Sequence, residues 1–181
     1  MYGVTKAQMQ KIQKSKETEK TTTLFLSLKT QYKQNEITMK EKFKLNTEIL
    51  MIASQDYQFW NDRKELITQF ISDFNSQIKQ IENQTELENE EKQKQIEQIQ
   101  NQREELLIGE LQITQKLLPH NSKAYVVWYH RKWTMNLLQN KNYKRERELC
   151  AQMLKFDSRN CLFFFSYLTF ISVYFLHFNN R

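Results

Sequence analysis

Apolar residues recur every three or four positions along most of this chain, which is the spacing of one face of an α-helix. Leu24, Leu28 and Tyr32 follow that spacing and predict a first packed helix. The apolar face of a second helix comprises Met39, Phe43, Leu45, Ile49, Leu50 and Ile52. Residues 1–20 are polar and carry few large apolar side chains, so we expect a frayed or partner-ordered arm there.

A third helix is predicted after Asp56, a residue type that caps the amino ends of helices. Its inward side would consist of Tyr57, Trp60, Leu66, Ile67, Phe70 and Ile71. The following stretch, residues 77–105, is rich in Gln, Glu, Asn and Lys, and its few apolar positions are Ile78, Ile81, Leu87, Ile96 and Ile99. Such a composition forms helix readily but buries little. We therefore predict a projecting helical hairpin that turns near Asn89, with disorder as the alternative.

Apolar spacing returns after the polar stretch, at Leu106, Leu107, Leu111, Ile113, Leu117 and Leu118. Pro119 is predicted to stop that helix, and Asn121 or Ser122 to cap the next one. A polar turn at residues 140–142 leads into another helix, which ends before Asp157. Short helices joined by short polar turns predict an all-α fold built from α–α hairpin repeats.

The last segment, Cys161 to Phe178, differs from the rest because its eighteen residues carry no formal charge. As an α-helix, a segment of this length would approach the thickness of a bilayer core. Three alternatives stay open for it: a membrane anchor, a helix buried against a partner, or an aberrant end in which repeat sequence has been replaced. The predicted regions are a polar arm (1–22), a first repeat region (23–76), a polar helical insertion (77–105), a second repeat region (106–160) and an apolar carboxyl-terminal helix (161–181).

Composition narrows the range of functions. The chain has two glycines and one proline, which disfavours phosphate-binding loops, dinucleotide-binding crossovers and antiparallel sandwiches. Its net charge of +6 comes from interleaved basic and acidic residues, a pattern of solvated helix faces rather than of nucleic-acid binding. Two cysteines and a polar start predict a reducing, cytoplasmic setting. No metal site is expected, because the three histidines and two cysteines lack metal-ligand spacing.

Two segments share a spacing that composition does not require. Tyr57, Trp60 and Arg63 form the pattern Tyr-x-x-Trp-x-x-Arg, and residues 125–131 repeat it. On a helix these positions lie at i, i+3 and i+6, so we expect the two aromatic rings to fill the space between neighbouring hairpins. The guanidinium can fork onto carbonyl groups or a carboxylate of the adjoining helix. Three residues at one spacing, twice, indicate an internal repeat.

The second copy and its surroundings read Asn121-Ser122-Lys123-Ala124-Tyr125-Val126-Val127-Trp128-Tyr129-His130-Arg131-Lys132-Trp133. This sequence resembles the repeat core of protein prenyltransferase α subunits, Asn-x-Lys-x-Tyr-x-x-Trp-x-His-Arg-x-Trp. Residues 147–151 and 156–160 are similar in particular to the type II branch, the Rab geranylgeranyltransferases. The resemblance covers residues 106–160 well and 1–74 loosely, and it implies part of the α-subunit superhelix with the polar hairpin inserted. Because Phe164 and Tyr167 stand where a third Trp and Arg would follow, we expect an amino-terminal portion of such a subunit.

The resemblance implies an αβ heterodimer that transfers geranylgeranyl from geranylgeranyl diphosphate to carboxyl-terminal cysteines of Rab proteins, which an escort protein presents. Zinc and the isoprenoid pocket would belong to the β subunit, and no cofactor is expected on this chain. The resemblance also implies that Lys123 stabilises the diphosphate, and that Tyr125 donates a hydrogen bond there or forms the pocket wall. The other motif residues would be structural, namely Tyr57, Trp60, Arg63, Trp128, His130, Arg131 and Trp133.

Other functions stay open at this point. The chain could be a non-catalytic helical-repeat scaffold, with or without a tail anchor, or an inactive truncated subunit. A weaker alternative is a tail-anchored tether built on the polar hairpin of residues 77–105. Membrane contact is expected only if residues 161–178 form an anchor. Cys150 has no His beside it in sequence, so we expect a buried apolar residue rather than a nucleophile.

Overall fold

The computed structural model describes residues 6–84, 88–120 and 124–156, which form helices joined by short turns. The helices are α1 (Lys6–Tyr32), α2 (Met39–Ile52), α3 (Tyr57–Glu82), α4 (Asn89–Leu117), α5 (Tyr125–Leu137) and α6 (Tyr143–Phe156). No strand occurs within these three ranges, which confirms the predicted all-α class. The chain divides into two compact units, Met1–Arg63 and Lys64–Arg181.

Helix α1 begins at Lys6, so of the two alternatives predicted for residues 1–20, a frayed or a partner-ordered arm, the frayed one is wrong for the part that the structure describes. Lys, Gln and Glu are good helix formers, and they carry the helix where little is buried. The hydroxyl groups of Thr18, Thr21, Thr22 and Thr23 each donate to the carbonyl four residues earlier, at 2.8 to 2.9 Å. The side chains of residues 13–24 are exposed. Helical propensity and continuity with the packed end of α1 are therefore the forces that support this stretch.

Helix α2 contains all six apolar positions predicted for its face, and its amino end carries a capping box. The backbone N–H of Glu41 donates to the Thr38 hydroxyl oxygen at 3.3 Å, and the backbone N–H of Thr38 donates to the Glu41 carboxylate at 2.9 Å. The Thr38 hydroxyl also donates to that carboxylate, at 2.7 Å. These hydrogen bonds from the Thr38 side chain and backbone lower the pKa of Glu41 below its ordinary value.

The core of the first unit forms between α1, α2 and the start of α3. Its buried apolar side chains are Leu28, Tyr32, Ile49, Leu50, Phe59 and Trp60. The rings of Tyr32 and Phe59 meet edge to face, with centroids 5.4 Å apart. Asp56 caps α3 as predicted, because its carboxylate accepts a hydrogen bond from the backbone N–H of Gln58 at 3.0 Å.

The polar stretch of residues 77–105 is helical, as one of the two sequence alternatives predicted. Helix α3 continues to Glu82 and α4 begins at Asn89, so the turn lies a few residues before the predicted position. Residues 85–87 in this turn lie outside the described ranges. No break separates the polar part of α4 from its packed part, where Leu107 and Leu117 are buried. Good helix formers on both sides of residue 105 allow one continuous helix.

The second unit packs α4, α5 and α6 around one core. Helix α4 ends at Leu117, before Pro119 as predicted. Ala124 precedes α5 and offers no side-chain cap, while the predicted caps Asn121 and Ser122 lie outside the described residues. The predicted turn at residues 140–142 is present, and the Asn142 side chain accepts a hydrogen bond from the backbone N–H of Arg145 at 3.0 Å. The core side chains include Leu107, Leu118, Val127, Trp128, Met135, Leu149, Cys150 and Met153.

None of the helices in the described ranges is long and apolar enough to cross a bilayer. The segment of residues 161–178, for which the sequence left three alternatives open, lies outside those ranges. The same is true of Phe164 and Tyr167, where the repeat pattern lapses.

Cys150 is expected to resist alkylation in the native protein at neutral pH. The thiol is completely buried, and burial, together with the nearby Glu146 carboxylate, raises its pKa to about 12, against the opposing effect of Arg131. The thiolate that reacts with iodoacetamide is therefore scarce. In a Cys161→Ser background, we expect labelling to follow urea unfolding of the second unit. Rapid labelling without urea would contradict this packing, and the variant lacking both cysteines sets the background.

Candidate functional site

The tyrosine of each Tyr-x-x-Trp-x-x-Arg copy lies on the surface, which corrects the expectation that it fills space between hairpins. Tyr57 and Tyr125 are the first residues of α3 and α5, and the side chain of each is 62 % exposed. Tyr129 lies one turn after Tyr125 and is 66 % exposed. Tyr125 and Tyr129 therefore share the solvent face of α5, because residues four apart lie on one side of a helix. Val127 and Arg131 lie on the buried side.

In the first copy, the tryptophan and the arginine are completely buried. The indole N–H of Trp60 donates to the backbone carbonyl of Ser54 at 2.8 Å. Arg63 Nη1 donates to the side-chain oxygens of Asn46 at 3.0 Å and Thr47 at 2.9 Å, both on α2. Asn46 in turn donates to the backbone carbonyl of Phe59 at 2.8 Å. The motif thus joins α2 to α3 through buried hydrogen bonds.

In the second copy, Arg131 joins three helices. Its Nη1 donates to the backbone carbonyl of Leu111 at 2.6 Å and to the Thr114 hydroxyl at 2.7 Å, both on α4. Its Nε and Nη2 donate to the two carboxylate oxygens of Glu146 on α6, each at 2.6 Å. Arg131 and Glu146 are each about 1 % exposed, so this is a buried, two-point ion pair.

A second buried polar pair lies beside the arginine. His130 Nε2 is 3.0 Å from a carboxylate oxygen of Glu110 on α4, and both side chains are buried. The ring of Trp133 lies 5.4 Å from the His130 ring, centroid to centroid. On the outer side, the Lys64 ammonium lies 4.1 Å from the Tyr129 ring centroid and 5.6 Å from that of Trp133. Partial burial lowers the pKa of Lys64.

The two copies correspond in three dimensions as well as in sequence. Positions 57 and 125 are 68 residues apart, and the same separation relates the two tryptophans and the two arginines. Each arginine bonds a polar side chain seventeen positions earlier, Asn46 in the first copy and Thr114 in the second. The motif therefore marks two similar helical hairpins, α2 with α3 and the end of α4 with α5.

The polar residues that bind the two arginines and His130 were not identified from sequence. Asn46, Glu110, Thr114 and Glu146 are buried polar residues, and three of them interrupt the apolar faces of α2 and α4. A polar residue inside an apolar stripe is the signal that could have found them, since buried polar groups need partners. Glu146 carries no such signal, because it lies in a charged run from Lys144 to Glu148.

The family resemblance assigns Lys123 and Tyr125 to the diphosphate. Lys123 lies outside the described residues. Tyr125 is at the first position of α5, where its hydroxyl is accessible to a ligand or partner. The first turn of α5 contains no acidic residue, so the positive end of the helix dipole is not offset there. Within the described ranges, no three His, Cys, Asp or Glu side chains are placed to bind a metal ion together.

Comparison with known proteins adds relatives for this region. The family model described as protein prenyltransferase alpha subunit repeat matches residues 107–138. The chain is similar to the geranylgeranyl transferase type-2 subunit alpha of Bos taurus and of Homo sapiens, with 42 % identity over 55 residues in each case. The subunit of the same name from Dictyostelium discoideum is 33 % identical over 52 residues.

The matched regions are a limited part of each protein. They cover 30 % of this chain and 10 % of each mammalian subunit. For the Dictyostelium subunit they cover 29 % of this chain and 17 % of the relative. The similarity therefore concerns about a tenth of the length of the mammalian relatives.

Proposed function

We propose that this chain acts as the α subunit of a Rab geranylgeranyltransferase, because residues 107–138 match the protein prenyltransferase alpha subunit repeat and the chain is similar to type-2 α subunits. The single observation that carries the proposal is the arrangement of the second hairpin, α4 with α5. It presents Tyr125 to solvent on a helix whose buried side is bonded to two other helices through Arg131. A residue held in this way keeps its place without a partner, which an interface site requires.

The chemistry that the chain would supply is charge stabilisation at the leaving group. In the transfer, the sulfur of a Rab cysteine forms a bond to C1 of the geranylgeranyl chain while the C1–O bond breaks. Diphosphate leaves with the electron pair, and the thiol proton is lost to solvent. Negative charge grows on the leaving oxygens, where preorganised donors lower the barrier. We assign this role to the Lys123 ammonium, two positions before α5 in the sequence, and to the Tyr125 hydroxyl at the first residue of that helix.

The remaining parts of the reaction are assigned to partners. Zinc is proposed to be held by the β subunit, together with the isoprenoid chain, as the family resemblance implies. Rab proteins would reach the complex bound to an escort protein. The geranylgeranyl diphosphate would lie at the interface between this chain and β, where Tyr125 and Lys123 could contact its phosphates.

The proposal is tested by co-expressing this chain with a type II β subunit of the same organism. We expect the two to elute together in size exclusion and to transfer geranylgeranyl to an escorted Rab protein. The β subunit alone sets the background, and a Rab protein without its terminal cysteines reports non-specific transfer. Elution of the two chains apart would reject the proposal. Co-elution without transfer would reject the catalytic assignment and favour a scaffold.

A further inference from the structure

A pocket of about 290 Å³ lies in the first unit, at the point where α1 ends and α2 and α3 begin. Three lysines line it, namely Lys29, Lys33 and Lys42. Its wall includes the buried rings of Tyr32 and Phe59. We call this cavity the lysine pocket. Its lining residues all belong to the unit that ends at Arg63, whereas Lys123 and Tyr125, used in the proposed transfer reaction, belong to the other unit.

Two of the three ammonium groups are positioned by the aromatic wall. The Lys42 ammonium lies 5.2 Å from the centroid of the Tyr32 ring. The Lys29 ammonium lies 5.8 Å from the Phe59 ring centroid and 5.6 Å from that of Phe25. Contacts of this length between a cation and a ring are attractive and restrict where the charge sits. The pocket is thus lined by partly ordered positive charge rather than by freely rotating lysines.

Two acidic side chains near the pocket in sequence are engaged elsewhere, and a third, Glu36, is exposed and does not line the pocket. Glu41 binds Thr38 in the capping box, and Asp56 accepts the backbone N–H of Gln58. No carboxylate lines the pocket. Among the described residues, no acidic side chain forms an ion pair with any of the three lysines. Three like charges around one small cavity repel one another, so an anion that enters it is stabilised by all three.

The size and the other donors of the pocket indicate the kind of anion. The side chains of Gln34, Asn35 and Gln58 also line it and can donate hydrogen bonds through their amide groups. A volume of about 290 Å³ admits a compact group and not a folded peptide segment. A phosphoryl group concentrates charge on several acceptor oxygens, and lysine binds it as a point charge. A single carboxylate would leave most of these donors unused.

We propose that the lysine pocket binds a small ligand that carries two or more negative charges on phosphoryl oxygens. The ligand is either a soluble phosphate compound or the phosphorylated headgroup of a lipid. Both present the same chemistry to Lys29, Lys33 and Lys42. The aromatic wall formed by Tyr32 and Phe59 can contact the apolar part of such a ligand.

The first test is a calorimetric titration of the full chain with inorganic diphosphate at constant ionic strength. We expect saturable binding at one site. A titration with chloride of the same ionic strength should show no such binding. The variant carrying both Lys29→Gln and Lys42→Gln is expected to bind about tenfold or more weakly, because it loses two charge-assisted contacts. The matched control carries Lys40→Gln and Lys44→Gln, two exposed lysines of α2 that do not line the pocket.

The control separates a site from general positive charge, since both double variants lower the net charge equally. An equal loss in the two variants, or no saturable binding by the native chain, would overturn the proposal. Circular dichroism of each variant shows whether α1 and α2 are retained. If the pocket variant does not fold, the single change Lys33→Gln, at an exposed position, replaces it in the same comparison.

A vesicle arm distinguishes the two sources of the ligand. Phosphatidylcholine vesicles with and without phosphatidic acid are sedimented with the native chain and with the two double variants. Binding to the phosphatidic acid vesicles that only the pocket variant loses would assign a lipid headgroup. Binding of free diphosphate without vesicle binding would assign a soluble compound. Neither result depends on a β subunit, so failure of this proposal is separable from failure of the proposed function.

Discussion

Replacing Glu146 with Leu is expected to lower the free energy of unfolding of the second unit by about 3–5 kcal/mol. The change removes both acceptors of the Arg131 Nε and Nη2 groups, which bind the carboxylate at 2.6 Å. Arg131 is buried and would then hold a charge that no carboxylate compensates. An unpaired buried charge destabilises the folded state by far more than a surface ion pair stabilises it. Urea denaturation followed by circular dichroism and by Cys150 labelling measures the loss.

The matched control is Glu148→Leu, which removes the same charge from an exposed position two residues later on α6. That change is expected to alter stability by about 0.5 kcal/mol or less. The double change Arg131→Met with Glu146→Leu is expected to recover most of the loss, because an apolar pair leaves no buried charge. Equal effects of the Glu146 and Glu148 changes would show that the ion pair does not support the fold.

Replacing Lys123 with Ala is expected to slow geranylgeranyl transfer by the assembled αβ complex by about 10²–10³-fold. The expectation rests on the proposed function, in which the ammonium stabilises the departing diphosphate. Co-elution with β should be unchanged, since the loss concerns charge at the transition state. Tyr125→Phe, which removes only the hydroxyl at the exposed start of α5, is expected to cause a smaller loss. Single-turnover measurement with saturating substrate isolates the chemical step.

The control for this prediction is Lys132→Ala, an exposed lysine later on the same helix. It removes an equal charge outside the motif positions and should leave transfer near the native rate. Lys123→Arg should restore part of the rate, because a positive charge is kept. An unchanged rate in Lys123→Ala would contradict the catalytic assignment and favour the scaffold function.

Much of the helical architecture could be predicted from local features of the sequence. The position of α2, the stop before Pro119 and the turn at residues 140–142 follow from apolar spacing and from residues that end helices. The frayed alternative for residues 1–20 was wrong because helix propensity, which acts without burial, was given less weight than the lack of an apolar face. The tyrosines were wrongly placed in the core, since spacing shows that residues share a face but not which face is covered.

The contacts of the candidate site could be predicted less well from local features of the sequence. The repeat pattern predicted a buried tryptophan and an arginine that bonds the adjoining helix, but it named none of the acceptors. Thr114 and Glu146 lie seventeen positions before and fifteen positions after Arg131, on different helices. No local rule connects such positions. Only the way in which α4, α5 and α6 pack brings them within hydrogen-bond distance of one guanidinium.

The sequence by itself determined where most of the helices lie, that two hairpins repeat, and which family the second hairpin resembles. These features depend on residues within one or two helical turns, whose periodicity and capping act locally. Tertiary structure alone decided that Glu146 neutralises Arg131, that Tyr125 faces solvent, and that Lys29 and Lys42 share one cavity. Those facts join residues on different helices, and side-chain burial depends on which helix faces are brought together.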